Sequence, residues 1–122
     1  MKNLNNKLTA TLLATLAAVG LVAAANMTGT WELESSFDDA KLAPQNSGFD
    51  CVLKQTGNRV AGKCSGGTAT MTGEVKGQTV TLRLPELNPS TTFTGTLDNA
   101  GTHLQGRFMV GDKQGRFTAV KK

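Results

Sequence analysis

Few side chains in this sequence are equipped for chemistry, and their spacing decides what they can do. His103 is the single histidine of the 122 residues. It follows Asp98-Asn99-Ala100-Gly101, a run with the composition of a turn, so it reads as a solvated turn residue rather than a general base. Asp38 and Asp39 are adjacent. In a strand they would point to opposite faces, and in a loop they read as capping or solvated acids. Cys51 and Cys64, with only the distant His103, leave a zinc site short of ligands, and no metal is expected. The glycines lie inside strand-like segments instead of ahead of a helix, so none forms a phosphate cradle, and no cofactor is expected. Catalysis needs titratable groups in a shielded cleft. Nothing in the spacing assembles one, and the chain reads as a non-enzyme.

The first 25 residues are set apart from the rest. Lys2 and Lys7 give a short basic start, an apolar run follows from Leu8 to Ala25, and it closes on Ala23-Ala24-Ala25. That is the layout of a signal peptide with a small-x-small cleavage site. The expectation is a cleaved signal peptide over 1–25, a single β-barrel domain over 26–122, no membrane span in the mature chain, and a bacterial periplasmic or secreted location. Of the 13 Lys and Arg residues, 11 then remain against 9 acidic residues, a net charge of +2. With so little basic excess and no Tyr, nucleic acid is not an expected partner. An even cysteine count in an exported chain reads as a disulfide between Cys51 and Cys64.

Apolar residues alternate with period 2 throughout the mature chain, among many Thr, Val and Gly. Strands are expected near 27–35, 48–56, 59–65, 68–75, 78–84, 91–97, 103–110 and 113–120. Most connections are short; the one long connection runs from Ser36 to Ser47. Such a meander is all-β and favours closure into an eight-stranded antiparallel up-and-down barrel. A motif of apolar-x-Gly-x-apolar recurs, with Gly29, Gly62, Gly73, Gly95 and Gly106 separated by 33, 11, 22 and 11 residues. The motif glycines and their apolar flankers share a face, which must be the inside.

Hairpin registers test that inside. A two-residue turn at Gly57-Asn58 sets Leu53 opposite Gly62 and Cys51 opposite Cys64, in the closer, non-hydrogen-bonded kind of pair. A turn at Lys76-Gly77 sets Gly73 opposite Val80 and Met71 opposite Leu82. A turn at Gly111-Asp112 sets Phe108 opposite Gly115 and Phe117 opposite Gly106, each ring covering a facing glycine. The same turn puts Arg107 opposite Arg116 on the outside, as a solvated wall or a small basic patch for an acidic partner. The inside comprises Trp31, Leu33, Phe49, Leu53, Val60, Met71, Val75, Val80, Leu82, Leu84, Phe93, Leu97, Leu104, Phe108, Phe117 and Ala119, with no ionisable side chain. Trp31 either plugs one end of the barrel or forms a ligand platform.

Thr28-Gly29-Thr30-Trp31, followed by Gly-bearing meander strands, resembles the lipocalin and avidin (calycin-like) group of barrels over most of residues 27–120. That resemblance implies binding of a small hydrophobic molecule in the barrel. The avidin pocket uses several tryptophans and a tyrosine; only Trp31 matches, so biotin is not implied. Gly29-Thr30-Trp31 with Cys51 and Cys64 is also similar to the small periplasmic metalloprotease-inhibitor barrels, although only Asn26 and Met27 stand where those carry an inhibitory tail. Trp31-Glu32-Leu33 resembles the META domain of bacterial envelope proteins. The expected function is an exported binding module with a small apolar ligand in its interior, held by Trp31, Leu33, Phe49, Met71, Phe93, Phe108 and Phe117. The other class is a protein-binding or protease-inhibitor-type barrel with a filled core, acting on an extracytoplasmic protein partner through its loops, chiefly Ser36–Ser47 and Pro85–Ser90.

Overall fold

The computed structural model describes residues 26–42 and 47–122. The expected signal peptide, residues 1–25, lies outside the described residues, as does the middle of the loop between Ser36 and Ser47. Eight strands follow one another: β1 (Gly29–Phe37), β2 (Ser47–Thr56), β3 (Arg59–Cys64), β4 (Ala69–Lys76), β5 (Thr79–Leu84), β6 (Thr91–Leu97), β7 (His103–Val110) and β8 (Lys113–Lys121). Single 3-10 turns at Ala40–Leu42 and Ser65–Gly67 are the helical elements. Each strand pairs antiparallel with the next. β1 pairs with β8 from Trp31↔Lys121 to Phe37↔Gly115, and this closes the barrel.

The alternation of the sequence becomes the two faces of the wall. In β1, Trp31 and Leu33 are buried while Glu32 and Glu34 are exposed. In β6, the outward positions are Thr92, Thr94 and Thr96, and the inward ones include Phe93 and Leu97. β-branched Thr and Val suit such a half-buried pleated surface. All the residues expected inside are buried except Phe49, which is half-buried at one end. Met27, ahead of β1, joins the core with no exposure. β1 runs two residues further than expected and carries Phe37 into the barrel's end, where it packs against Phe108 at 5.1 Å between ring centroids. Eight strands enclose a lumen just wide enough for side chains to fill. Here one continuous apolar cluster fills it.

Three two-residue turns fix the register of three of the eight strand pairs. Each begins with a glycine at positive φ: Gly57 at 62°, Gly77 at 60° and Gly111 at 62°. That backbone matches the twist of the flanking strands and strongly favours glycine. Cys51↔Cys64, Leu53↔Gly62, Gly106↔Phe117 and Phe108↔Gly115 all occur as expected. The β4–β5 hairpin differs. Its turn is Gly77-Gln78, so Lys76 pairs with Thr79, Val75 with Val80, and Gly73 with Leu82. The register moves by two residues because the glycine must occupy the first turn position. A two-residue shift leaves every inward residue inward.

The inward glycines let neighbouring strands approach. A Cβ at Gly106 would lie 2.0 Å from the Thr94 carbonyl oxygen and 2.6 Å from Gly95 Cα. No side chain fits between those backbones. The disulfide joins Cys51 to Cys64 across β2 and β3, with Cα atoms 4.0 Å apart, the narrow kind of cross-strand pair.

Candidate binding site at the open end

The two ends of the barrel are built differently. At one end lie the start of β1, the end of β8 and the turns at Gly57-Asn58 and Gly77-Gln78. Trp31 sits there with no exposed surface. Its indole Nε1 donates to the Met27 carbonyl at 2.9 Å, and the Lys121 ammonium stands 5.4 Å from its ring centroid. The Met27 amide donates to Gln55 Oε1 at 2.8 Å, which folds the leading residues across this end. Trp31 therefore takes the role of plug. Asp98 also lies at this end. Backbone N–H donation from Thr102, then from His103, holds its carboxyl below the usual range. His103 is exposed, 2.9 Å from Thr102 Oγ1 and 3.2 Å from Asp98 Oδ2.

The opposite end is aromatic and, among the described residues, carries no plug. All five phenylalanines of the chain belong to one ring cluster in this half. Phe93 is its hub, with ring centroids of Phe49, Phe108 and Phe117 at 6.3, 5.8 and 5.1 Å. A recess of about 180 Å³ opens beside the hub. Phe49, Phe93, Phe108 and Leu84 line its wall, Phe37, Leu87 and Val110 its rim, and Ser35 and Thr91 complete it. Thr91 is the one buried polar side chain among the described residues. Leu87, on the Pro85–Ser90 connection, is 43% exposed.

The residues expected to bind a ligand are thus divided. Phe49, Phe93 and Phe108 come together at the recess. Phe117 stands behind it, edge-on to Phe93. Leu33 is buried beside Phe49 in the β1–β2 ladder. Met71 is buried against the disulfide, its Sδ 4.0 Å from Cys64 Sγ. Trp31 is at the far end. Phe37, Leu84, Leu87, Thr91 and Val110 were missed as site residues. Continuing the alternation Leu33-x-Ser35-x-Phe37 would have found Phe37. Thr91 precedes Phe93 by two residues, so the same alternation would have found it, whereas Leu87 carries no periodic signal.

On the outer wall next to this end, Arg107 and Arg116 face each other across β7 and β8. The ladder between β1 and β8 continues past Phe37, where the Asp38 amide donates to the Gln114 carbonyl at 3.0 Å. This carries Asp38 over to Arg107, whose guanidinium takes both carboxylate oxygens. Asp39 caps the following 3-10 turn by accepting from the Lys41 amide at 2.9 Å. Elsewhere on the wall, a bidentate bond from Arg83 holds the Glu74 carboxyl below its usual range. Among the described residues no group of three or more His, Cys, Asp or Glu is placed to hold a metal ion.

No protein-family model matches the chain, and no curated protein matches it in sequence.

Proposed function

We propose that this protein is an exported binding module of the lipocalin- and avidin-like kind that takes one small apolar group into the open end of its barrel. The observation that carries this reading is the phenylalanine-lined recess of about 180 Å³ at that end. Pockets for drug-sized ligands run to roughly 300–1,000 Å³, whereas an apolar cavity of about 150 Å³ accepts benzene. The recess therefore suits a group of benzene or leucine side-chain size. Export is supported by the signal-like start of the sequence and by a disulfide, which persists in oxidising compartments.

Trp31 is buried at the opposite end, so its fluorescence is a poor reporter of this site. The test is a titration of the ¹⁵N-labelled barrel with toluene, followed by amide chemical shifts. Saturable shifts should centre on Phe49, Thr91 and Val110. Val110→Trp, which projects a ring over the rim, should weaken them at least fivefold. Shifts scattered over the outer wall, or centred on Trp31, would remove the reading.

A further inference from the structure

The Arg116 side chain is exposed and makes no hydrogen bond or ion pair among the described residues, while Asp38, which lines a recess with it, is committed to Arg107. Glu34 is two residues along β1 from Ser36, the residue opposite Arg116, and lines a recess with it, but makes no ion pair with it. Arg116 is also where several surface recesses meet. One of about 450 Å³ runs along Ser36, Phe37 and Asp38. Another, of about 440 Å³, runs along Thr96, Gln105 and Thr118. Phe37 lines both the first of these and the apolar mouth. The mouth and Arg116 thus form one continuous surface, apolar at the rim and carrying on the adjoining wall one unpaired guanidinium beside the Arg107–Asp38 pair and Glu34.

Resting on the reading of the mouth as a binding site, we infer that the partner is an acidic polypeptide segment that seats an apolar side chain in the mouth and a neighbouring carboxylate on Arg116. Charge complementarity selects the carboxylate, which a guanidinium can hold through two parallel hydrogen bonds. The mouth's volume selects a side chain over an acyl chain, since it holds one small apolar group and no more. The hydroxyls and amide along the Thr96, Gln105 and Thr118 groove offer hydrogen-bonding partners to an extended backbone. Exposed carboxylate–guanidinium pairs contribute modestly, so the expected selectivity is about threefold, greater at low ionic strength.

The test uses the oxidised barrel and three octapeptides followed by amide chemical shifts at low salt. The first has a central leucine flanked by glutamates, the second replaces the glutamates by glutamines, and the third replaces the leucine by serine. The first should shift Phe49, Val110 and Arg116 together and bind about threefold more tightly than the second. Arg116→Gln should abolish that difference and leave the affinity for the glutamine peptide unchanged. This variant should fold normally, because it relieves a like-charge pair with Arg107. Equal affinity for the first two peptides overturns the acidic partner while leaving the mouth intact. Equal affinity for the first and third overturns the mouth itself. Palmitate displacing the first peptide at a lower concentration than the peptide's own Kd assigns the surface to a lipid and overturns the polypeptide.

Discussion

At Gly106 one hydrogen atom sets how closely β6 and β7 can run. The site sits on the inner face, where an added methyl group would meet backbone and not a side chain that could swing away. Overpacking costs about 1–3 kcal/mol when side chains can adjust. With backbone as the obstacle, Gly106→Ala is expected to lose about 3 kcal/mol in urea denaturation at neutral pH. Gly57 makes the contrast. It has open space around its Cβ position and φ of +62°, so Gly57→Ala carries only the strain of a left-handed backbone, about 1 kcal/mol. Similar losses at the two positions would mean that the strands do not approach as closely as described.

At the scale of elements, the β2–β3 hairpin is closed twice, by its turn and by the disulfide. The cysteines are 13 residues apart in sequence, and closing a loop of that size stabilises by about 3 kcal/mol in the chain-entropy model. Replacing both cysteines by serine should lower Tm by about 10–20 °C and leave the far-ultraviolet circular dichroism of a barrel unchanged. A Tm indifferent to reductant would show that the hairpin needs no staple. This element was legible in advance because two independent signals, the Gly57-Asn58 turn and the cysteine positions, required the same register. The β4–β5 hairpin was less legible. Turns at Lys76-Gly77 and at Gly77-Gln78 keep every side chain on the same face, so hydrophobic alternation cannot choose between them. Only the positive φ of Gly77 does. The mouth was harder still. Phe49, Phe93 and Phe108 belong to the inward face and could be read from alternation. Whether they border a recess depends on how far Phe37 and Leu87 cover the end, and Leu87 sits in a connection whose path alternation does not describe.

For the molecule as a whole, the response to acid follows from its carboxylates. Glu74 is held below its ordinary value of 4.5, first by the hydrogen bonds from Arg83. Asp98 is held below 3.8, first by the Thr102 amide. A group whose pKa is depressed by folding stabilises fully above its unfolded value and loses that contribution as pH falls through the folded one. Tm should therefore be level from about pH 5 to 7 and decline below about 4.5. Glu74→Gln should make that acid decline shallower in calorimetry; a curve parallel to the parent's would show that the Arg83 pair is not coupled to folding.

The meeting of the strand ends at the plugged end has a further consequence. Lys121 Nζ donates to the Asn26 carbonyl at 3.1 Å, and the Lys122 amide to the Thr30 carbonyl at 2.9 Å. Residues 26 and 122 leave the fold side by side, on the far side of the molecule from Phe37, Leu87 and Val110. The barrel thus has a back, where its chain is fastened, and a front, where its phenylalanines are offered. A carrier, a tether or a solid support joined beyond Lys122 therefore starts from the back and leaves the front unobstructed.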